Sequence, residues 1–295
     1  MLDRSSIMDD MNKLTHETRC AIIRCLVEGC SIRSTVRITG ASKNTIQKLT
    51  REVGEACLEY QDRAIKNLTC KRVQADEIWC FCYAKEKNVP DAMKDMPGVG
   101  SMWTWTAIDA DTKLIVSWKL GPRDGETAKA LMQDVAKRVN NKMQLTTDGL
   151  AAYLEAVSES FGQGIDYSQL IKIYGNPGEA DTRYSPGKCL GTKKETAIGS
   201  PDLEHVSTSY IERQNLNVRM QNRRFTRLTN AFSKKAEMLA YSIAITFMYH
   251  NFVRIHQTLR MPPALKAGVT HKVWSISDLV NLADEWAAIK KAESN

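Results

Sequence analysis

Apolar residues recur at helical spacing through the first seventy positions of the chain. The pattern predicts three helices, over residues 14–27, over 31–39 and from residue 42 onward, and the last runs into a link to the next region near residue 71. Gly29 and Gly40 stand where the first two helices should end. The beginning of the chain is therefore expected to be a small helical unit.

The second and third of these helices have the pattern of a helix-turn-helix. A short helix, a glycine-containing turn and a second helix with polar outward positions are typical of that motif. The outward side chains that could reach base edges and phosphates are Lys43, Asn44, Gln47, Lys48 and Arg51. We expect residues 1–70 to form a DNA-binding domain, and the alternative is an ordinary three-helix bundle with a solvated face.

The hydrophobic period changes after residue 72. Alternating and β-branched runs predict strands, and runs at helical spacing predict helices between some of them. The predicted strands cover 73–83, 102–108, 113–120, 143–147 and 168–174, and the predicted helices cover 126–139 and 150–160. The first three strands are joined by short loops and should form an antiparallel meander. The order βββαβαβ followed by a helix predicts a mixed α/β fold around a central sheet.

The remainder of the chain is an aperiodic stretch followed by helices. Residues 175–207 are rich in Gly, Pro, Lys and Thr and predict a mobile or substrate-contacting insertion. Helical patterns return over 209–227, 235–254 and 277–291.

Composition restricts the class of protein. The chain of 295 residues is 43% hydrophobic and 25% charged, as expected of a globular protein with a real core. No apolar run approaches the roughly 18 residues that a membrane span needs, and the first ten residues are acidic, so we expect a cytoplasmic protein without a membrane partner. The eight cysteines include no Cys-x-x-Cys pair, which argues against a zinc finger and a disulfide framework.

Positive charge is concentrated in one helix. The net charge is +7, and residues 213–235 alone carry seven Lys/Arg and no Asp or Glu. If 209–227 is one helix of about 100° per residue, Arg219 and Arg223 share a face with Glu212. Candidate phosphate contacts are Arg213, Arg219, Arg223, Arg224 and Arg227. A solvated charged helix is the alternative.

Three carboxylates occupy positions typical of a metal site. Asp76 lies inside an apolar strand, Asp148 ends a strand before a glycine, and Glu212 begins the basic helix. Together they could hold two divalent ions for phosphodiester chemistry. Taken singly, Asp148 could be a turn residue, Glu212 could favour a helix N-terminus, and Glu77 is an adjacent rival to Asp76.

Three segments resemble the catalytic blocks of a DDE transposase, with most similarity to the insertion-sequence-one family. They are Gln74-Ala-Asp-Glu-Ile-Trp, Thr147-Asp-Gly-Leu-Ala-Ala-Tyr and Tyr210-Ile-Glu-Arg-Gln-Asn-Leu-Asn-Val-Arg, and Asn251-Phe-Val-Arg-Ile-His-Gln-Thr-Leu with Pro262-Pro-Ala resembles a tail of such enzymes. The resemblance spans residues 73–265. It implies a ribonuclease-H-like catalytic domain in which Asp76, Asp148 and Glu212 bind two Mg²⁺ ions, which Mn²⁺ can replace. It also implies that Arg219 contacts transposon-end DNA.

The resemblance implies an overall organisation and an activity. A helix-turn-helix domain (1–70) would precede a ribonuclease-H-like α/β domain (71–265, with an insertion at 175–207) and a helical tail (266–295). The enzyme would bind inverted-repeat ends, nick them and join the 3′-hydroxyls to target DNA, as a homodimer or larger oligomer in a prokaryotic nucleoid. Many members carry an N-terminal zinc finger that this chain lacks, so end recognition should rest on the helix-turn-helix. The alternatives are a non-catalytic DNA-binding regulator and a nuclease without strand transfer.

Overall fold

A central mixed sheet organises the structure, which is a computed structural model that describes residues 14–175, 189–227 and 229–294. The strands are β1 (Arg72–Cys82), β2 (Gly100–Asp109), β3 (Ile115–Gly121), β4 (Gln144–Asp148), β5 (Asp166–Tyr174) and β6 (Cys189–Ile198). Their order in the sheet is β3-β2-β1-β4-β5-β6. β1, β2 and β3 are antiparallel neighbours, β4 runs parallel to β1 and β5, and β6 is antiparallel to β5.

Two helices make the crossovers between the parallel strands. α4 (Gly125–Arg138) leads from β3 to β4, and α5 (Ala152–Phe161) leads from β4 to β5. A parallel pair requires such a crossover, whereas antiparallel neighbours can be joined by a loop, here residues 83–99 between β1 and β2 and residues 110–114 between β2 and β3. The order 3-2-1-4-5, antiparallel in its first three strands and parallel in the rest, is the ribonuclease-H-like arrangement. The predicted α/β fold class is confirmed.

The predicted aperiodic insertion is partly wrong. Within 175–207 the chain forms β6, which pairs with β5 from Tyr167↔Ile198 to Tyr174↔Cys189. β6 is exposed or half-buried at every position, so it carries no alternation of apolar and polar residues that would mark a strand. Residues 176–188 of the expected insertion lie outside the described part of the chain.

The three N-terminal helices are present as predicted. They are α1 (His16–Val27), α2 (Ile32–Thr39) and α3 (Lys43–Ala64). Each begins at a side chain that accepts a hydrogen bond from the backbone N–H of the helix's third residue: Thr15, Ser31 and Ser42. Such caps satisfy one of the free amides of a helix N-terminus and contribute about 1 kcal/mol each.

α1 ends in a tight turn that contacts another helix. Gly29 has φ +78°, and the N–H of Cys30 reaches back to the carbonyl of Cys25 at 2.9 Å. This is the pattern that ends a helix with a left-handed residue. A Cβ at Gly29 would lie 2.5 Å from the carbonyl oxygen of Met220, so the turn packs directly on α6 (Ser209–Gln221).

The C-terminal helices join the N-terminal helices to the sheet. They are α7 (Ala236–Met248), which continues as a π-helical turn (Tyr249–Val253), α8 (Pro263–Lys266) and α9 (Ile276–Glu293). The side chain of Asn251, in that turn, accepts from the backbone N–H of Ile115 at 2.9 Å and donates to its carbonyl at 3.0 Å. These two bonds satisfy the backbone of Ile115 at the outer edge of β3. No described helix is both long and apolar enough to cross a membrane.

One cluster of buried side chains runs through these layers. It includes Ile22 of α1, Val53 of α3, Leu145 of β4, Tyr167 of β5 and Leu279 of α9. A second cluster lies between β1 and helices α6 and α7, and Cys80 and Cys82 are buried in it as small core residues. The N-terminal helices therefore share a hydrophobic core with the sheet.

Candidate functional site

The parallel pair β1–β4 brings two carboxylates to the same edge of the sheet. The registered pairs end at Ala75↔Thr147, so Asp76 and Asp148 are the next residues on the two strands. Ligand oxygens of Asp76, Glu77 and Asp148 all lie within 4.8 Å of one another. The structure thus brings together two of the three expected carboxylates, Asp76 and Asp148. It adds Glu77, which the sequence left open as an alternative to Asp76.

Asp76 lies on the face of the sheet that α6 covers. One of its oxygens accepts from the backbone N–H of Glu77 at 2.8 Å, and the other accepts from the side-chain amide of Asn215 at 2.9 Å. Burial raises the pKa of Asp76 to about 7, and the charges of Glu77, Asp148 and Glu212 add to the effect. The ionised form of Asp76 is therefore disfavoured in this structure, first by burial and then by the neighbouring carboxylates.

Glu77 points to the opposite face and is already paired. Its Oε1 accepts from the Arg123 guanidinium at 2.7 and 2.8 Å, and its Oε2 accepts from the Tyr153 hydroxyl at 3.2 Å. Burial and the charge of Asp148 raise the pKa of Glu77, while Arg123 opposes them. Because its side chain is only 2% exposed, Glu77 depends on Arg123 for compensation and forms the back of the acidic cluster.

Glu212 lies beside the cluster and is not a member of it. Gln74 of β1 fixes the start of α6, because its Oε1 accepts from the backbone N–H groups of Tyr210 and Ile211 at 2.9 and 3.1 Å. One turn into the helix, Glu212 accepts from the ammonium of Lys172 at 2.6 Å and from the hydroxyl of Thr208. Its charge still reaches Asp76, whose pKa it helps to raise.

Two residues at this site were missed from the sequence. Asn215, three residues after Glu212 on the same helix, is the α6 side chain that contacts Asp76. Lys172 follows two apolar residues of β5 and precedes a third, and its ammonium pairs with Glu212. A lysine inside an apolar strand is the same kind of signal that singled out Asp76, and it could have been read in the same way.

The expected row of arginines on one helical face is wrong beyond Arg219. α6 ends at Gln221, and Asn222 is extended, with φ −112° and ψ 108°. Asn222 leaves the helix because its amide donates to the carbonyl of Ser242 and the hydroxyl of Thr246 on α7. Arg223 therefore lies in a separate 3-10 turn instead of continuing the face that carries Glu212.

The remaining basic residues of this region divide by burial. Arg213 and Arg227 are exposed, whereas Arg219 is half-buried. The pKa of Arg219 is lowered by burial and by Arg227, and Asp76 partly opposes this, which places Arg219 within the electric field of the carboxylates. Arg224 donates to the hydroxyl of Ser233, and burial lowers its pKa to about 10, so it stabilises the following loop.

The helix-turn-helix candidates occupy the solvent side of α3. Lys43, Asn44, Lys48 and Arg51 are exposed, and Gln47 is half-buried. Lys48 and Arg51 lie 3.9 Å from carboxylates of Glu52 and Glu237. Exposed ion pairs of this length contribute little, so these cations stay free to contact phosphates.

A cavity of about 450 Å³ lies elsewhere, between α3, β3, α4 and α7. Its charged lining is a satisfied network in which Arg138 donates to Asp62, to Asp134 and to the carbonyl of Ile65. It contains no member of the acidic cluster. The carboxylates instead lie where the pairing of β1 with β4 ends.

No known protein family matches the chain, and no curated protein matches it. Among solved structures, a piggyBac transposase synaptic complex with hairpin DNA aligns over 91% of this chain and 69% of that chain, at 12% identity and a TM-score of 0.40. A Mos1 mariner paired-end complex with Mn aligns over 50% of this chain and 56% of that chain (9% identity, TM-score 0.22). An endonuclease V from Bacillus subtilis aligns over 72% of this chain and 95% of that chain (12% identity, TM-score 0.23). These likenesses are weak, and the ribonuclease-H-like fold is assigned from the order and directions of the strands.

Proposed function

We propose that the chain is a metal-dependent DNA transposase that cuts the ends of a mobile element and joins them to target DNA. The observation that carries the proposal is the meeting of Asp76 and Asp148 where the parallel pairing of β1 with β4 ends in a ribonuclease-H-like sheet. Glu212, on the helix that packs over Asp76, lies beside this pair and would be the third carboxylate of the set.

The donor set suits hard divalent cations. Asp76, Asp148 and Glu212 offer only carboxylate oxygens, which Mg²⁺ prefers and Mn²⁺ accepts. The raised pKa of Asp76 supports the same conclusion, because a bound cation would offset the burial and the repulsion that disfavour its ionised form. When bound, two such ions would supply the Lewis acidity that activates the attacking oxygen and stabilises the departing oxygen of a phosphodiester.

The protein's own residues hold these carboxylates in place. Asn215 orients Asp76 through the 2.9 Å hydrogen bond, and Gln74 sets the position of α6 on β1. Lys172 and Thr208 hold Glu212 beside the cluster. These contacts support a site whose ligands come from fixed elements rather than from loops.

DNA would lie across this edge of the sheet and the start of α3. Arg213, Arg219 and Arg227 would contact phosphates near the cut, while the outward face of α3 would contact the inverted repeats. Two ends must be held together for joining, so we propose at least a homodimer on DNA.

Arg219→Ala is expected to weaken binding to end DNA about threefold to tenfold and to reduce the salt slope of log K by about 1. One phosphate contact contributes about one unit to that slope. Fluorescence anisotropy at several salt concentrations measures both quantities. Lys137→Ala, which removes an exposed positive charge from α4, is the matched control. An unchanged slope in Arg219→Ala would remove this residue from the DNA contact.

The proposed activity is tested with a supercoiled plasmid that carries the gene and its flanking DNA. Purified protein with Mg²⁺ should release 3′-hydroxyl ends and join them to a second plasmid, and chelation should stop both steps. Cleavage without joined products would indicate a nuclease. Specific binding of the flanks without cleavage in Mg²⁺ or Mn²⁺ would indicate a DNA-binding regulator.

A further inference from the structure

The β1–β2 pair projects beyond the carboxylates. β4 accompanies β1 only as far as Ala75, whereas β2 remains paired with β1 to Cys82↔Gly100. At about 3.4 Å per residue, the free part of β1 from Asp76 to Cys82 extends for about 20 Å. This projection has two faces, because side chains alternate along a strand.

The two faces of the projection differ in what covers them. Ile78, Cys80 and Cys82 are buried against α6 and α7. On the other face Trp79 is 36% exposed, although it is a large aromatic residue in the middle of a strand. Trp103 lies directly opposite Trp79 on β2 and is half-buried.

The aromatic side chains of this face form one surface, which we call the aromatic platform (Trp79, Phe81, Trp103 and Phe232). The rings of Trp79 and Phe81 are 5.7 Å apart and inclined by 33°, and those of Phe81 and Phe232 are 4.9 Å apart and inclined by 32°. The indole N–H of Trp79 donates to Ser101 at 3.2 Å, which fixes the orientation of its ring. Trp79, Phe81 and Phe232 therefore form a continuous run of rings, and Trp103 lies opposite Trp79 on the neighbouring strand.

The platform adjoins the acidic cluster. Glu77 precedes Trp79 by two residues on the same face, so their backbones are about 7 Å apart. Arg123 joins the two features, because its guanidinium pairs with Glu77 and also lies 4.9 Å from the ring centre of Trp103. The platform therefore begins where the carboxylates end, with a cation at the boundary.

Resting on the proposed function, we propose that the aromatic platform binds unpaired nucleobases of the DNA next to the cut. Every base has a π face, so stacking on such rings needs no particular sequence. Arg123 at the boundary supplies a cation beside the rings, where the backbone phosphates of a strand leaving the carboxylates would pass. A strand cut at the edge of the sheet would thus place its neighbouring bases on the platform.

The test measures binding in the presence of a chelator, so that no DNA is cut. Two duplexes of the same sequence are compared, one fully paired and one with four unpaired nucleotides that contain 2-aminopurine. The wild-type protein should bind the second about tenfold more tightly and quench its 2-aminopurine fluorescence. Trp79→Ala should abolish most of this preference and the quenching, whereas Trp79→Phe should retain them.

Controls separate stacking from loss of folding and from other uses of the surface. Ile289→Ala removes an exposed apolar side chain from α9 and should keep the preference. Equal preference and quenching in wild type and Trp79→Ala would overturn the proposal. Loss of a dimer by Trp79→Ala in sedimentation, with base preference intact, would overturn it in favour of an interface between copies. Because the assay needs no cleavage, a platform that binds bases would survive the failure of the transposase assay.

Discussion

Asp148→Asn is expected to lower metal-dependent DNA cleavage on the order of 10³-fold while the fold stays intact. The carboxylate belongs to the last residue of β4, whose backbone pairing with Leu170 does not involve the side chain, and one oxygen remains to accept from the N–H of Leu150. A bound metal ion contributes several kcal/mol to the stabilisation of charge in the transition state. Loss of about 4 kcal/mol corresponds to roughly 10³ in rate. Single-turnover cleavage of end DNA with Mg²⁺ measures the change.

Companion variants decide which carboxylates belong to the set. Glu212→Gln is expected to match Asp148→Asn, whereas Glu77→Gln should retain more activity because Arg123 and Tyr153 already occupy its oxygens. Glu159→Gln, on the exposed side of α5, is the control and should cleave like wild type. Full loss in Glu77→Gln with activity retained in Glu212→Gln would assign the third carboxylate to Glu77. Unchanged cleavage in Asp148→Asn would contradict the proposed function.

Asp76→Asn is expected to increase the free energy of unfolding at pH 8 by about 2–4 kcal/mol in metal-free buffer. In the folded protein the pKa of Asp76 is raised from 3.8 to about 7. Such a shift corresponds to about 4 kcal/mol. Between pH 4 and 7 the folded state retains a proton that the unfolded state has lost, so wild-type stability falls as pH rises through this range and levels above it. Asparagine carries no charge, and the variant should lack this decline.

Urea unfolding at pH 5 and pH 8 measures the effect. Asp278→Asn is the control of opposite sign, because hydrogen bonds from Lys272 and Ser275 hold the pKa of Asp278 at about 2, and its contribution is therefore present at pH 8. That variant should be less stable than wild type at pH 8. Mg²⁺ should stabilise wild type at pH 8 more than Asp76→Asn. Parallel pH profiles for wild type and Asp76→Asn would show that the carboxylate titrates normally.

Much of the sheet was predictable because its pattern is local. β1 to β5 and the crossover helices carry the alternation or helical spacing that burial on one or both faces imposes. The meeting of Asp76 with Asp148 depends in addition on the pairing of β1 with β4, because Asp76 lies inside β1 beside the point where β4 ends. β6 has no buried face, so nothing in its residues distinguishes it from a loop.

The features that escaped prediction depend on contacts between distant parts of the chain. The end of α6 is set by hydrogen bonds from Asn222 to α7, which no helical wheel contains. The partners of the carboxylates, Asn215 for Asp76 and Lys172 for Glu212, are 139 and 40 residues away from them. A list of chemically suitable residues could be made from the sequence, but their pairing required the fold.

The packing of α3 has a consequence for any DNA that would contact both α3 and the acidic cluster. A Cβ at Gly54 of α3 would lie 2.4 Å from that of Tyr241 on α7, and the side chain of Gln61 donates to the carbonyl of Ala244 at 3.1 Å. With the turn at Gly29 resting on α6 as well, the outward face of α3 and the acidic edge are joined without a flexible linker. The distance between a sequence bound by α3 and the site of cleavage would then be fixed. A spacer between the two that is lengthened by half a helical turn would carry the scissile phosphate to the wrong side of the duplex.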